Sequence, residues 1–172
     1  PADIFDKEMG DMRKARWNRV FGGDKEVGGR DADTRATIVL EHIMQASDVS
    51  HTMQHWHVYI KWNRRLFQEL SLAYQQGRIN SNPADFWYQG ELAFFDNYII
   101  PLAKKLQECH VFGVSSDEYL NYALSNRHEW ELKGRDIVQD MIRSMPSMPI
   151  QENTSTPPCS DSAEAEEGPN NA

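Results

Sequence analysis

The sequence predicts an all-α fold, and three features of the chain favour it. Apolar residues recur at three- and four-residue steps through several long segments, which is the spacing of one helix face. Glycine and proline cluster mostly between those segments. No segment alternates apolar and polar residues in the way that predicts a half-buried strand. We therefore expect several packed helices and no sheet.

The N-terminal region predicts one helix followed by a flexible connection. Residues 3–20 are charged and helix-favouring, and their thin apolar set is Ile4, Phe5, Met9, Met12 and Trp17. Residues 21–34, FGGDKEVGGRDADT, contain four glycines. A phosphate-binding loop is a possible interpretation of those glycines, but the segment lacks a GK[ST] ending and follows no strand. A linker is the better interpretation.

Two helices are expected next, a short one at 35–47 and a long one at 53–76. The long helix carries its apolar side chains at helical spacing: Trp56, Tyr59, Ile60, Leu66, Phe67, Leu70 and Tyr74. Trp62 is expected to pack in the core with them. These aromatic residues predict that the long helix is partly buried along one face.

The C-terminal half predicts two further helices. Residues 77–85 form a loop, in which Pro83 suits the first turn of the following helix. That helix extends through FWYQGELAFFDNYIIPLAKKLQE, and Pro101 within it is expected to kink it. The last helix opens with GVSSDEY and ends near Met145, before two prolines.

Charge and composition divide the chain into a body and a tail. The formal net charge is −8, and residues 146–172 contain five acids and no lysine or arginine. This tail is rich in Pro, Ser, Glu and Asn, so it buries too little apolar surface to offset its ordering entropy. We expect one domain at 1–145 and a disordered acidic tail at 146–172. The negative charge disfavours a nucleic-acid partner.

The lack of a recognisable targeting segment and the positions of the two cysteines favour a cytoplasmic location. No stretch approaches the roughly 18 apolar residues of a membrane span, and the N-terminus is charged where a signal peptide is apolar. Cys109 and Cys159 lie in different regions, which argues against a disulfide framework. The chain begins with Pro1 and is expected to be processed or part of a longer protein. A membrane-tethered parent stays possible, and the sequence indicates no oligomeric state.

The segment MQASDVSHTMQHW, residues 44–56, carries the first candidate chemistry. His51 and His55 are four residues apart, which on a helix places both side chains on the face that two zinc ligands need. Asp48 would be a third ligand, but there is no HExxH and no second cluster. From these residues alone, Asp48 is a helix cap, a solvated acid or a metal ligand, and all three interpretations stay open.

Three segments carry, in order, a more specific pattern. Residues 39–70 contain an apolar helix that leads into ASDVS, with Trp62 fourteen residues after Asp48. Residues 90–106 are GELAFFDNYIIPLAKKL, and residues 125–130 are SNRHEW. These segments resemble the catalytic domain of class I cyclic-nucleotide phosphodiesterases. That family has an A-D-L-S turn, a tryptophan at the same step, a glutamine three residues before a phenylalanine, and an Asn-Arg-x-x-Trp motif.

The resemblance implies an all-helical fold that hydrolyses a 3′,5′-cyclic nucleotide to its 5′-monophosphate. It also implies two divalent metal ions, zinc and usually magnesium, which polarise the phosphate and lower the pKa of a bridging water. Asp48 matches a zinc ligand of the family. The other zinc ligands and the general-acid histidine belong to HN-x-x-H and HD motifs, which this sequence lacks. We therefore expect no catalytic residue in this chain and no turnover by the chain alone.

The resemblance implies a base-binding pocket as well. Phe94 matches the phenylalanine that stacks on the purine, and His51 stands where the family has residues that touch the base edge. Glu91 falls at the position of the purine-binding glutamine. A carboxylate and an amide offer different hydrogen bonds, so the sequence departs from the family here. If Glu91 is ionised, we expect cyclic GMP to be favoured over cyclic AMP.

A different class of function also stays open. The chain is alternatively a degenerate helical interaction module without catalysis, which pairs with a partner helix. HN-x-x-H and HD motifs directly upstream of Pro1 would favour the enzyme, and a start codon there would favour the module. In the enzyme, five aromatic side chains are expected to pack partly on segments outside this chain: Trp56, Phe67, Phe94, Phe95 and Trp130.

Overall fold

The computed structural model describes residues 7–22, 31–110, 112–113 and 115–145. Every regular element among them is helical, which confirms the all-α prediction. The order is α1 (Lys7–Phe21), α2 (Asp31–Asp48), a 3₁₀ turn (Ser50–Met53), α3 (Trp56–Gln75), α4 (Pro83–Phe94), a π turn (Phe95–Ile99), α5 (Ile100–Glu108) and α6 (Ser115–Ser144). None of the described helices has the length and apolar character needed to cross a membrane. The predicted tail lies outside the described residues.

The predicted helix boundaries need two corrections in the first half of the chain. α2 begins at Asp31, four residues before the predicted start. The Asp33 carboxylate in its first turn interacts favourably with the helix N-terminus. The predicted helix at 53–76 begins only at Trp56, because Gln54 and His55 have extended backbone conformations. The 3₁₀ turn before them is therefore a separate element.

The loop between α3 and α4 follows local capping rules. Gly77 has a φ of +70°, which glycine adopts without the steric cost of a Cβ. The N–H of Gly77 donates to the Tyr74 carbonyl, and the N–H of Arg78 donates to the Ala73 carbonyl, as in a Schellman motif. Asn82 accepts from the N–H of Ala84 at 3.1 Å, and Pro83 is the first residue of α4, as predicted.

The predicted irregularity near Pro101 is a π turn on its N-terminal side. Proline has no N–H, and its ring crowds the carbonyl four residues earlier. The N–H of Ile100 donates to the Phe95 carbonyl, five residues back instead of four. The extra residue rotates the side chains of α5 by about 100° relative to α4, compared with one continuous helix.

The core forms where α6 packs against α3, α4 and α5. Trp130 of α6 is fully buried, and its ring lies edge-on to Tyr59 of α3 at a centroid distance of 6.0 Å. Phe67 and Phe95 are also completely buried in this core. The expectation that Phe67, Phe95 and Trp130 pack on segments outside the chain is therefore wrong, since this chain covers them itself.

The expectation that Trp62 packs in the core is also wrong. Its side chain is 48% exposed, and the Arg65 guanidinium lies 5.0 Å from the centroid of its ring. The buried face of α3 instead follows Tyr59, Asn63 and Phe67 at four-residue steps. Trp62 is one residue from Asn63, about 100° around the helix, so it lies outside this buried face.

Gly134 allows Trp130 to fill the core, and this makes a stability prediction. A Cβ at Gly134 would lie 2.8 Å from Cε2 of the Trp130 indole. We expect Gly134→Ala to destabilise the chain by about 1–3 kcal/mol, because the surrounding core leaves the indole no room to move. Urea denaturation measures the change in the free energy of unfolding.

Gly10→Ala is the matched control for this substitution. Gly10 also lies within a helix, and a Cβ there would meet nothing within 4 Å. Because alanine favours helices over glycine, we expect a stabilisation of up to about 1 kcal/mol. If both variants changed stability by the same amount and sign, close packing at Gly134 would not be the cause.

Candidate functional site

Asp48 lies at the end of α2 with an exposed side chain. The C-terminal end of a helix carries a partial negative charge, and no basic residue lies in the last turn of α2. The residue that precedes the 3₁₀ turn is Val49. Asp48 therefore caps neither helix, which removes one of the three interpretations. A solvated acid and a ligand for a cation remain.

The three neighbouring histidines do not assemble into a metal site. His51 lies in the 3₁₀ turn and His55 precedes α3, so the helical spacing expected between them does not form. Nε2 of His55 instead lies 3.0 Å from the Tyr122 hydroxyl, and its ring stacks on His57. In the part of the chain that the structure describes, no group of three or more His, Cys, Asp or Glu side chains is placed to hold a metal ion.

His51 is partly buried, and its ring centroid lies 6.4 Å from that of Trp62. Burial lowers the pKa of His51, because the charged imidazolium loses more hydration than the neutral ring. At neutral pH the side chain is therefore uncharged. A neutral imidazole has one donor and one acceptor nitrogen, which suits contact with a polar ring edge.

Glu91 belongs to a chain of hydrogen bonds that begins in the core. Nε1 of Trp87 donates to Oδ1 of Asn63 at 3.2 Å, and Nδ2 of Asn63 donates to the Tyr59 hydroxyl at 3.4 Å. The Tyr59 hydroxyl donates to Oε2 of Glu91 at 2.7 Å. An indole N–H can only donate, so it sets the direction of every bond that follows. The chain requires an acceptor at position 91.

Burial changes the protonation of both partners in this bond. It raises the pKa of Tyr59, which the nearby Glu91 carboxylate raises further, so the phenol remains a donor at neutral pH. Burial also raises the pKa of Glu91, while hydrogen bonds from Tyr59 and Asn63 act in the opposite direction. The net effect is to raise the pKa of Glu91, so its carboxylate takes up a proton at a higher pH than an exposed glutamate does.

Phe94 is the last residue of α4 and is partly buried against the core. Its ring is parallel to the Tyr98 ring, with 5.5 Å between centroids and 6° between planes. Burial raises the pKa of Tyr98, the Arg13 charge lowers it, and the Asp48 carboxylate raises it. Asp48 is therefore near enough to the Phe94–Tyr98 pair to act on it electrostatically.

Side chains of the SNRHEW segment of α6 form hydrogen bonds with the elements that carry the candidate residues. Nδ2 of Asn126 donates to the Thr52 and Gln54 carbonyls at 2.9 and 2.7 Å, which anchors the 3₁₀ turn and the extended residues after it. Arg127 donates to both carboxylate oxygens of Asp96 at 2.9 and 3.1 Å, which anchors the π turn. The third contact of this segment is made by Trp130.

Trp130 connects the same segment of α6 to α4. Its Nε1 donates to the Tyr88 carbonyl at 3.1 Å, and the Tyr88 hydroxyl donates to the Glu131 carbonyl at 3.1 Å. Tyr88 precedes Glu91 by three residues, so these bonds fix the turn of α4 that bears the carboxylate. One short segment of α6 therefore sets the positions of His51, Glu91 and Phe94.

Sequence reasoning missed the residues that position this site. The helical spacing predicts Tyr59 only as part of an apolar face, and Asn63 follows it by four residues. A polar side chain within an apolar helix face is a signal, because a buried amide needs hydrogen-bond partners. Asn126 and Arg127 lie in the SNRHEW segment, and the sequence does not show their partners because these are 74 and 31 residues away.

Comparison with known proteins places these residues in a family. A family model described as 3′5′-cyclic nucleotide phosphodiesterase matches residues 11–115. The match includes Asp48, His51, Glu91 and Phe94, and it stops before SNRHEW. No curated protein and no solved structure matches the chain.

The two bonds of Asn126 generate a prediction about the 3₁₀ turn. Asn126→Asp keeps the shape of the side chain but replaces its two N–H donors with a carboxylate that faces two carbonyl oxygens. We expect it to destabilise the chain by about 1–3 kcal/mol and to speed amide hydrogen exchange in residues 50–55. Denaturation and exchange experiments at neutral pH measure the two effects.

Asn121→Asp is the control, since the same chemical change falls at an exposed position of the same helix. Its effect on stability is expected to stay within about 0.5 kcal/mol. Exchange in residues 50–55 that is unchanged in the Asn126 variant would show that Asn126 does not anchor this turn.

Proposed function

This chain belongs to the 3′5′-cyclic nucleotide phosphodiesterase family, and we propose that it forms the base-binding side of a domain that hydrolyses cyclic nucleotides. The product of that reaction is the 5′-monophosphate. The observation that carries the proposal is the family match, which spans more than half of the chain and includes all four candidate residues. The arrangement around α6 supports it, because the segments bearing three of those residues share one anchor.

Phe94 and His51 have complementary roles in this proposal. Phe94 offers an aromatic surface at the end of α4 for stacking on a purine. His51 is uncharged at neutral pH, since burial lowers its pKa, and it offers one donor and one acceptor to the edge of the base. Hydrogen bonds from α6 anchor the 3₁₀ turn that contains His51 and the π turn that follows Phe94.

Glu91 is proposed to read the purine edge. An ionised carboxylate only accepts hydrogen bonds, and the Tyr59 hydroxyl already uses one of its lone pairs. Guanine offers an N1–H and an amino group as adjacent donors. Adenine offers an amino group beside an acceptor nitrogen, which would face a carboxylate lone pair. The ionised form therefore favours cyclic GMP.

Protonation of Glu91 would change this selectivity. Because Tyr59 donates to Oε2, a protonated carboxyl would carry its hydrogen on Oε1 and present one donor and one acceptor. That pattern is the same as that of an amide. Burial raises the pKa of Glu91, so the protonated form extends to a higher pH than in an exposed glutamate. The preference for cyclic GMP should accordingly increase as the pH rises through the pKa of Glu91.

These residues supply only part of the ligands that a metal site needs. The family is generally metal-dependent, and we propose zinc and magnesium as the ions and Asp48 as one ligand. A catalytic zinc normally takes about three protein ligands, whereas the described residues contain no such group. They do not fit a metal pair by themselves, and we assign no chemical step to it. The remaining ligands are proposed to come from HN-x-x-H and HD motifs outside these 172 residues.

The first prediction from this proposal concerns the 172-residue chain alone. We expect no hydrolysis of cyclic AMP or cyclic GMP in the presence of zinc and magnesium, and only weak zinc binding, because one carboxylate cannot replace about three ligands. Asp48→Ala should reduce that weak binding, while Asp136→Ala, at an exposed position of α6, should not. Turnover by the parent chain that Asp48→Ala abolishes would show that its site is complete, contrary to the proposal.

The second prediction concerns Glu91 in a domain completed with the two missing motifs. The repelled adenine edge costs on the order of 1–3 kcal/mol in a buried site. We therefore expect kcat/KM to favour cyclic GMP by roughly tenfold or more, at about 1.4 kcal/mol per decade. Glu91→Gln should remove this preference and its pH dependence, because an amide does not titrate.

Glu69→Gln is the matched control, since Glu69 is exposed on α3. It should keep both the preference for cyclic GMP and the change of that preference with pH. If Glu91→Gln kept the same preference as the parent at every pH, Glu91 would not read the base. A domain that binds neither nucleotide would instead favour the helical interaction module.

A further inference from the structure

A concave surface lies between α1, α2, the π turn and α5, and Tyr98 connects it to Phe94 of the proposed base-binding side. We call it the basic cleft. It has a volume of 720 Å³ and contains four cationic side chains: Arg13, Lys14, Lys104 and Lys105. Its two carboxylates are those of Asp11 and Glu108. Small-molecule sites commonly have volumes of about 300–1,000 Å³, so the basic cleft is large enough to hold a ligand.

Lys105 is the unusual residue of this cleft. Its ammonium lies 5.3 Å from the centroid of the Trp17 ring and 3.3 Å from Nε2 of His42. The side chain is partly buried, and burial lowers the pKa of Lys105. Buried charges in proteins are normally paired with an opposite charge. Within the described ranges, no carboxylate forms an ion pair with Lys105.

His42 explains why the neighbour of Lys105 cannot serve as its counter-ion. Nδ1 of His42 lies 2.7 Å from the Ile38 carbonyl, which only accepts, so Nδ1 carries a hydrogen. Burial, above all, lowers the pKa of His42, and the ring is therefore neutral with an acceptor at Nε2. Lys105 donates one N–H to that nitrogen and has two more to donate. The Glu108 carboxylate raises the pKa of Lys105, but by less than burial lowers it, so the positive charge is only partly compensated.

Tyr98 supplies a second, independent observation at the same cleft. Its hydroxyl is buried and has no hydrogen-bond partner among the residues that the structure describes. Leaving a buried polar group unpaired costs about 1–3 kcal/mol. Tyr98 and Lys105 are seven residues apart, about two helical turns or roughly 10 Å. Among the described residues, the Tyr98 hydroxyl and the two remaining N–H groups of Lys105 therefore lack an acceptor, and both side chains line the basic cleft.

We propose that the basic cleft binds a small polyvalent oxyanion, with Lys105 as the central contact. The cationic side chains of the cleft come from both α1 and α5, so the anion is expected to carry at least two acceptor groups, as a diphosphate or a polycarboxylate does. A bound oxyanion would add to the partial compensation that Glu108 gives the Lys105 charge, and it would be attracted by Arg13, Lys14 and Lys104. It would also lie beside Tyr98, which stacks on Phe94, so its binding would be felt at the proposed base-binding side.

Calorimetric titration of the full 172-residue chain with diphosphate and, separately, with citrate tests this proposal at physiological salt. We expect saturable binding of at least one probe, and the stronger probe identifies phosphate or carboxylate chemistry. Lys105→Met should weaken binding by tenfold or more. Lys105→Arg, which keeps the charge, should stay within a few-fold of the parent.

Lys61→Met is the control, because Lys61 is exposed on α3 and does not line the basic cleft. It should leave the affinity within about twofold of the parent. Thermal unfolding separates a ligand site from a structural role, since Lys105→Met should raise the Tm of the unliganded chain by removing a charge whose burial is only partly compensated. The proposal is overturned if the parent binds neither probe, if Lys61→Met weakens binding as much as Lys105→Met, or if Lys105→Met lowers the Tm.

Discussion

The hydrogen bonds of Asn126, Arg127 and Trp130 are the interaction on which the arrangement of this chain depends. These residues lie within five positions of α6, yet their partners are the 3₁₀ turn, the π turn and α4. Neither turn can be stable alone, because each has too few internal hydrogen bonds to hold its shape. The irregular segments of the fold therefore take their geometry from one regular helix.

The same arrangement explains why a carboxylate can lie close to the core. Glu91 follows Tyr88 by one helical turn, so the bond from Trp130 to the Tyr88 carbonyl fixes where Glu91 points. The Trp87, Asn63 and Tyr59 side chains then supply donors in a direction that the indole N–H sets. Packing and polarity are thus coupled: the aromatic residues that fill the core also determine which atoms remain for a ligand.

The chain contains two partly buried ionisable groups, Glu91 and Lys105, whose pKa values shift in opposite directions. The Glu91 carboxylate receives a hydrogen bond from Tyr59, and its pKa shifts upward toward a neutral form. The Lys105 ammonium has a neutral imidazole and an aromatic ring as neighbours, and its pKa shifts downward. Both shifts reflect the cost of removing charge from water. Within the described part of the chain, Glu91 has a hydrogen bond at Oε2 and leaves Oε1 for a ligand, whereas Lys105 donates to His42 and forms no ion pair with a carboxylate.

The sequence by itself determined the all-α class, most helix positions, the start of α4 at Pro83 and the family. These follow from helical spacing, from proline and glycine chemistry, and from short motifs, all of which are local in the chain. The sequence could not show that Trp62 is exposed while Asn63 is buried, since both lie near the boundary of one amphipathic face. It also could not reveal that Gln54 and His55 leave the helix.

Only the tertiary structure decided those points, because each depends on partners that are distant in sequence. Asn126 lies more than seventy residues after the carbonyls that it binds, and Lys105 lies 63 residues after His42. Asp48 shows the division most clearly. Its neighbours in the sequence allowed a cap, a solvated acid or a ligand, and the end of α2 at Asp48 excluded the cap, because a carboxylate is unfavourable at a helix C-terminus.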